Sequence, residues 1–261
     1  MKEKLRVASA RTLADRGKWI AHHGQEVVVE SELPCVDVDQ GPVMDPEFPC
    51  HNAESTMIPP YIYEPLDEED GKIRIMCLFL ANTRADQRIL IKLQEWPLDR
   101  ETLPEFEPLS YCWGPEEDTV DILVETESGE QSLPVRRNLA DALLALRYDD
   151  NGRLLWIDAI CIDQNNLPER GSQVKKMAEI YTGRKVVVWL GSEKEDSSLA
   201  LDLLGSLSEK IDVGWDFLTM TAVSEDPPEQ HWADWEQDLP YSEREKLAIA
   251  KILEREWFER L

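Results

Sequence analysis

The stretch Leu154-Leu155-Trp156-Ile157-Asp158-Ala159-Ile160-Cys161-Ile162 decides the fold of this chain. Eight of its nine residues are apolar, a pattern that is typical of a strand covered on both faces in a parallel sheet. The exception is Asp158, whose carboxylate needs a hydrogen-bonding or charged partner if it is buried. That partner is either a protein group, such as a loop or a helix N-terminus, or a ligand, and the sequence leaves both alternatives open.

On both sides of this stretch, the apolar patterns predict strands that alternate with helices. Strands are predicted at 73–79, 109–114 and 186–191, a hairpin at 120–124 with 132–135, and helices at 138–146 (capped by Asn138), at 170–181 (with Val174, Met177, Ala178 and Tyr181 inward) and at 197–207. Elements of these lengths indicate βαβ units with right-handed crossovers. We therefore predict an α/β fold with a parallel, TIR/flavodoxin-like sheet that is flanked by helices and carries a β-hairpin.

Two parts of the chain differ from this alternating core. Residues 1–60 predict a helix at 4–20 followed by a proline-rich segment, and we interpret them as an N-terminal extension. Residues 192–241 contain tryptophans and prolines without a repeating pattern and predict a helical insertion. After it, Ser242 and Glu245 form the capping-box signature of a last helix, with Leu247, Ala250, Leu253 and Trp257 on its inner side. The main domain is predicted to span residues 61–261.

The composition argues against several classes of partner. With 53 acidic and 28 basic residues, the formal charge of −25 repels the phosphates of nucleic acid and an anionic membrane surface. No apolar run is long enough for a membrane span. Five irregularly spaced cysteines are typical of a reducing compartment, so we expect a cytoplasmic protein. Cys35, Cys50 and His51 lack the spacing of metal ligands, and no metal site is predicted.

Candidate site residues lie at the C-terminal ends of two of the predicted strands, where open α/β sheets bind ligands. They are Ser110, Tyr111, Trp113 and Gly114 at the end of one strand, and Asp158, Asp163, Gln164, Glu169 and Arg170 in and after the other. The first group could stack on a ring and approach a phosphate, but the composition favours core positions for Tyr111 and Trp113 and a simple turn at Gly114. In the second group, Glu169 can favour a helix dipole and Arg170 can pair with Asp158 or Asp163, so catalytic roles are the weaker interpretation.

Five ordered motifs resemble the heterokaryon-incompatibility (HET) domain of filamentous fungi. They are Pro108-Leu109-Ser110-Tyr111-Cys112-Trp113-Gly114, residues 135–146, residues 155–164, Glu169-Arg170 with Gln173-Val174 and Met177, and Val188-Trp189-Leu190-Gly191. HET proteins trigger cell death when genetically different hyphae fuse, so the resemblance implies non-self recognition and programmed cell death. The HET domain is also similar to Toll/interleukin-1 receptor (TIR) domains, some of which cleave NAD with a glutamate.

The resemblance implies two alternative modes of action. In the first, a pocket built from Ser110, Tyr111, Trp113, Asp158 and Glu169 takes NAD or a related nucleotide, and Glu169 is the candidate catalytic residue of this chain. In the second, the domain is a non-catalytic signalling module that forms a homo-oligomer or recruits an incompatibility partner, which the sequence does not identify.

The family pattern usually continues beyond Trp257-Phe258-Glu259-Arg260 into a Trp-x-x-Gln-Glu motif, whose glutamate resembles the TIR catalytic residue. This sequence ends at Leu261, and we interpret it as a HET domain without the end of its motif set. If that glutamate stabilises the oxocarbenium-like charge at the ribose, the 261-residue chain is expected to be inactive or strongly impaired in NAD cleavage.

Overall fold

Ten strands and six helices make up the part of the chain that the structure describes. This computed structural model describes residues 27–29, 58–66, 71–80, 88–99, 101–148, 151–182, 184–214, 219–224 and 240–259. The strands are β1 (Val27–Val29), β2 (Lys72–Leu78), β3 (Leu90–Pro97), β4 (Glu107–Tyr111), β5 (Thr119–Thr126), β6 (Gly129–Arg136), β7 (Arg153–Trp156), β8 (Val186–Trp189), β9 (Ile211–Gly214) and β10 (Thr219–Ala222). The helices are α1 (Arg137–Leu146), α2 (Asp158–Cys161), α3 (Leu167–Tyr181), α4 (Ser197–Ser208), α5 (Glu243–Leu253) and α6 (Glu256–Glu259).

Eight of the strands form one mixed sheet in the order β1-β8-β4-β7-β2-β3-β5-β6. Strands β1, β8, β4 and β7 are parallel, whereas β2 pairs antiparallel with both β7 and β3. Strand β5 lies parallel to β3 and forms an antiparallel hairpin with β6. The predicted α/β class and hairpin are confirmed, but the sheet is mixed rather than parallel throughout: β1-β8-β4-β7 form a continuous parallel half, and β3 and β5 are a further parallel pair. The connections β2–β3 and β5–β6 are too short for the crossover that a parallel neighbour needs.

Strand β8 shows how the parallel half of the sheet is covered on both faces. All four of its residues are buried. Val187 and Trp189 pack into the main core, which also contains the apolar face of α1. Val186 and Val188 point to the other face, where they pack against α4 and α5. A strand buried on both faces cannot alternate apolar with polar residues, which explains the continuous apolar run.

The predicted strand at 154–162 is wrong beyond Trp156. The backbone stays extended only to Ile157, and α2 begins at Asp158. The Asp158 carboxylate accepts a hydrogen bond from the N–H of Ala159 at 2.8 Å, and the Cys161 N–H donates to the Ile157 carbonyl at 2.7 Å. One helical turn buries Ile160 and Cys161 as well as a strand would, so the apolar pattern did not distinguish the two.

Three helix details also differ from the predictions. Asn138 is the second residue of α1, whose N-cap is Arg136. Val174 and Ala178 are exposed, because the inner face of α3 is partly polar and buries Glu169 and Gln173. On α5, the capping box is confirmed, but Leu247 is exposed and the buried residues are Ala248, Ile249 and Ile252.

The predicted extension and insertion are only partly described. Val27–Val29 lies within the predicted extension and forms the edge of the sheet beside β8. Within the predicted insertion, α4 is confirmed, and β9 and β10 form a separate two-stranded sheet. The predicted helix at 4–20 and the segment with Trp215, Pro227, Pro228, Trp232 and Trp235 lie outside the described residues. The division at residue 61 remains a prediction. Across the described ranges, no helix has the length and apolar character needed to cross a bilayer.

Candidate functional site

A cleft of about 460 Å³ opens at the carboxyl ends of β4 and β8, which are neighbours in the parallel half of the sheet. From β4 the chain crosses to β7 on one side, and from β7 it returns past β4 to β8 on the other side. The strand order therefore reverses between β4 and β8, and open α/β sheets bind ligands at such a switch point. The volume lies within the range of small-molecule and cofactor sites.

Charged side chains of both signs line this cleft. Lys194 comes from the loop after β8, Lys251 from α5, and Arg255 from the junction of α5 and α6. The acidic residues of the lining are Glu195, Glu254 and Glu256. Because the whole chain carries a formal charge of −25, this balanced set makes the cleft less repulsive to an anion than the average surface.

Two glycines turn the chain at the mouth of the cleft. Gly114 follows β4 with φ +77°, and Gly191 follows β8 with φ +94°. Both values lie in the left-handed region, which favours glycine because it has no Cβ atom. At Gly114 a Cβ atom would also lie 3.4 Å from the Cβ atom of Asn138. These turns keep backbone, rather than side chains, at the ends of the two strands.

Asn138 ties the ends of β4 and β8 together from the start of α1. Its Nδ2 donates a hydrogen bond to the Cys112 carbonyl at 2.5 Å, just beyond β4. Its Oδ1 accepts a hydrogen bond from Nε1 of Trp189, the last residue of β8, at 3.1 Å. Asn138 also lines the cleft. One amide therefore sets the spacing of both strand ends.

We expect Asn138→Ala to lower the free energy of unfolding by about 2 kcal/mol, because both hydrogen bonds are lost around a buried indole N–H. Urea unfolding followed by circular dichroism measures this change. Asn138→Asp keeps the acceptor for Trp189 and removes the donor to Cys112, so its stability should lie between those of Asn138→Ala and the parent. An unchanged Asn138→Ala midpoint would show that these contacts do not matter for the strand ends.

The loop after β8 is held in place by two arginines. Arg255 is buried and donates hydrogen bonds of 3.0 to 3.4 Å to the carbonyls of Leu190, Gly191, Ser192 and Lys194. Burial lowers the pKa of Arg255 from its usual value. Farther along the loop, Arg244 forms an exposed bidentate pair with Asp196. Residues of α5 and of the α5–α6 junction thus determine the shape of this wall of the cleft.

Trp113 and Asp158 are joined to each other beside the cleft. The Trp113 Nε1 donates to Oδ2 of Asp158 at 3.2 Å, which links the loop after β4 to α2. The guanidinium of Arg136 lies over the Trp113 ring at 4.9 Å from its centroid and donates to the Gly114 carbonyl at 2.6 Å. One face of the indole is therefore occupied by a cation, which leaves less of the ring for stacking on a ligand.

The remaining predicted site residues, at the end of β4 and in the second group, have different environments. Tyr111 is buried, in agreement with the core interpretation of this aromatic. Ser110 accepts a hydrogen bond from Nε1 of Trp257 at 3.0 Å, and Trp257 lines the cleft. In the second group, the Gln164 side chain donates to the Asp158 carbonyl at 2.7 Å, and Arg170 is exposed on α3. Of the nine predicted site residues, Gly114 lines the cleft directly.

Glu169 belongs to a buried ion pair with Arg74. The two oxygens of Glu169 accept four hydrogen bonds: two from Arg74, at 2.5 and 3.1 Å, and one each from the backbone N–H groups of Leu66 and Asp163. Arg74 also donates to the carbonyls of Cys161 and Glu64. Burial opposes ionisation, but the hydrogen bonds and the Arg74 charge outweigh it and hold the pKa of Glu169 below its usual value. The pair fixes the loop that carries Asp163 and Gln164.

The described residues contain no group of three or more His, Cys, Asp or Glu side chains placed to hold a metal ion. Cys35, Cys50 and His51, which the sequence analysis considered for this role, lie outside the described residues.

A family profile covers the part of the chain that builds the cleft. The profile, described as heterokaryon incompatibility protein (HET), matches residues 106–261, which is more than half of the chain. The chain belongs to the HET family. All residues that line the cleft fall within the matched segment.

A curated relative supports the same assignment. The chain is 30% identical over 187 residues to heterokaryon incompatibility protein 6, OR allele, from Neurospora crassa. The alignment covers 60% of this chain and 26% of the relative, so the chain spans about a quarter of the relative's length. No solved structure matches the chain significantly.

Sequence reasoning missed the residues of this HET chain that shape the cleft. Asn138 was predicted as a helix cap, and the polar position before an apolar stripe was its only signal. Arg255, Lys194 and Lys251 lie in segments where charged residues are frequent. A buried arginine cannot be told from a surface arginine by such a pattern, because its partners are main-chain carbonyls about 60 positions earlier.

Proposed function

We propose that this chain is a non-self recognition module of fungal heterokaryon incompatibility that triggers cell death, and that its cleft binds NAD or a related nucleotide. The observation that carries the proposal is the cleft at the switch point between β4 and β8, inside the segment that matches the HET family. The incompatibility role is supported by the name of the Neurospora crassa relative.

A nucleotide fits the chemistry of the cleft. Lys194, Lys251 and Arg255 supply positive charge that phosphate groups need, in a molecule whose surface is otherwise strongly acidic. The glycine turns at Gly114 and Gly191 leave room for a ligand to approach the backbone. Trp257 adds an aromatic ring to the lining. The cleft thus offers cations for the phosphates, accessible backbone and an aromatic ring, which are the groups that a nucleotide contacts.

The proposed roles of the predicted site residues follow from their positions. Gly114 contacts the ligand, Ser110 positions Trp257, and Trp113 with Asp158 holds the neighbouring loop. Glu169 is proposed as a positioning residue. Its carboxylate accepts all four of its hydrogen bonds from protein groups, and Glu169 is only 2% exposed. Catalysis, where it occurs, would then use a different carboxylate.

We expect NAD to raise the thermal midpoint of the purified chain, since a ligand that binds the native state stabilises it. Lys251→Glu should weaken NAD binding by about tenfold or more, because it replaces a phosphate-binding cation with a repulsive charge. Isothermal titration calorimetry gives the dissociation constants.

Lys246→Glu is the matched control, because Lys246 lies on the same helix outside the lining of the cleft. It should bind NAD like the parent chain. Equal weakening by both substitutions would indicate a general charge effect and contradict the assigned site. If NAD and related nucleotides leave the midpoint unchanged and the chain self-associates with rising concentration, the non-catalytic adaptor is the correct mode of action.

A further inference from the structure

Among the described residues that line the cleft, two are aromatic, and they differ in how far a ligand can reach them. Trp189 is 1% exposed, and its Nε1 donates to Oδ1 of Asn138, so its ring belongs to the main core. Trp257 lies on α6 and is half-buried. Trp257 is therefore the aromatic side chain that the cleft offers to a ligand.

Polar contacts, rather than complete burial, fix the position of Trp257. None of the four residues of α6 is fully buried. The Trp257 Nε1 donates a hydrogen bond to the Ser110 hydroxyl at 3.0 Å, which ties the indole to β4. The Phe258 N–H donates to the carbonyl of the buried Arg255 at 2.9 Å. A central strand and a buried arginine therefore hold the ring at the cleft.

The hydrogen bond to Ser110 leaves an apolar ring for the ligand. Nε1 is the single polar atom of an indole, and its hydrogen is already donated to Ser110. Lys194 and Lys251 belong to the same lining, so a ring and cations are available to one ligand. A ring whose orientation is already fixed loses less conformational entropy on binding, which favours stacking.

We propose that Trp257 stacks on an aromatic ring of the nucleotide, and that Ser110 is the positioning residue that holds the indole in the stacking orientation. This inference rests on the proposed nucleotide site. Stacking on an aromatic side chain tolerates different bases, because every base has a π-face. It favours a phosphate ligand that carries a base over one that does not. NAD carries two rings, adenine and nicotinamide, and its two mononucleotide halves show which of them is bound.

The first experiment compares ligands with and without a base by isothermal titration calorimetry on the 261-residue chain. The probes are NAD, adenosine monophosphate, nicotinamide mononucleotide and, as the ligand without a base, ribose 5-phosphate. The parent should bind NAD and one of the mononucleotides about tenfold or more tightly than ribose 5-phosphate. Trp257→Leu should lose this preference, whereas Trp96→Leu, on β3 outside the lining, should keep it.

A double-mutant cycle tests the role of Ser110. Ser110→Ala removes the acceptor for Nε1 and Trp257→Phe removes the donor, so each should weaken binding of the preferred mononucleotide about threefold to tenfold. The affinity for ribose 5-phosphate should not change, which distinguishes positioning of the ring from a general loss of structure. In the Trp257→Phe background, Ser110→Ala should have no further effect, because the hydrogen bond is already absent.

The results distinguish the stacking role from the proposed nucleotide site. Stacking is wrong, while the nucleotide site stands, if the parent binds NAD but Trp257→Leu keeps the preference for a base. It is also wrong if Trp257→Leu weakens binding of ribose 5-phosphate as much as binding of the mononucleotides. The positioning role is wrong if Ser110→Ala binds like the parent, or if its loss adds in full to that of Trp257→Phe. If the parent binds none of the probes, the proposed nucleotide site fails, and stacking is rejected with it.

Discussion

Arg74→Met should lower the free energy of unfolding by about 3–5 kcal/mol, since it leaves the buried Glu169 carboxylate without its paired charge. The side chains of Arg74 and Glu169 are 3% and 1% exposed, so water cannot replace the lost guanidinium. The same substitution also removes the donors to the carbonyls of Cys161 and Glu64. Chemical denaturation at neutral pH measures the change, which should exceed that of any single surface substitution.

The double variant Arg74→Met with Glu169→Gln provides the sharpest control. It removes both charges, so no uncompensated carboxylate remains in the core, and it should be more stable than Arg74→Met alone. If the double variant is the less stable of the two, charge pairing is not the reason for the loss.

The pH dependence of stability should change when Glu169 loses its charge. Because the folded-state pKa of Glu169 lies below its usual value of 4.5, the stabilisation is fully present above that value and is lost as the pH falls through the folded-state pKa. Glu169→Gln removes this component, so its stability should fall less steeply at acidic pH than that of the parent. Denaturation curves between pH 7 and pH 3 show the difference.

Arg255→Ala should lower the free energy of unfolding by roughly 3 kcal/mol and abolish the proposed binding of a nucleotide in the cleft. The guanidinium of Arg255 donates to four main-chain carbonyls of the loop after β8, and these contacts join the α5–α6 junction to the sheet. Without them, the loop and α6 lose their common anchor, so the wall of the cleft that carries Lys194 and Trp257 should open. Denaturation and calorimetry with NAD measure the two effects.

Arg244→Ala is the matched control, because Arg244, which lies on α5, holds the same loop but is exposed. Its ion pair with Asp196 lies at the surface, with side chains that are 73% and 43% exposed. Surface pairs contribute little to stability, so the unfolding midpoint should hardly move. If Arg244→Ala proves as damaging as Arg255→Ala, burial of the guanidinium is not what makes Arg255 important.

Local sequence patterns were sufficient to predict a strand or a helix wherever that element buries its own apolar residues. The hairpin of β5 and β6, helices α1 and α4, and the capping box of Ser242 were predicted because turn residues, apolar stripes and caps act over a few positions. The same reasoning failed at 157–162, where a strand and one helical turn bury the same apolar residues. It also failed on α3, whose inner face is polar because it meets Arg74 and the Lys72 carbonyl.

The sequence by itself determined the α/β class, the family and the segment that holds the cleft, because these depend on residue order and on motifs that can be recognised along the chain. Only the tertiary structure decided which side chains meet. The pairs Arg74–Glu169 and Ser110–Trp257 are separated by 95 and 147 positions, and no local period predicts their contact. Contacts over such separations depend on the strand order and register of the whole sheet, which brings distant carboxylates, amides and guanidinium groups to the ends of β4 and β8.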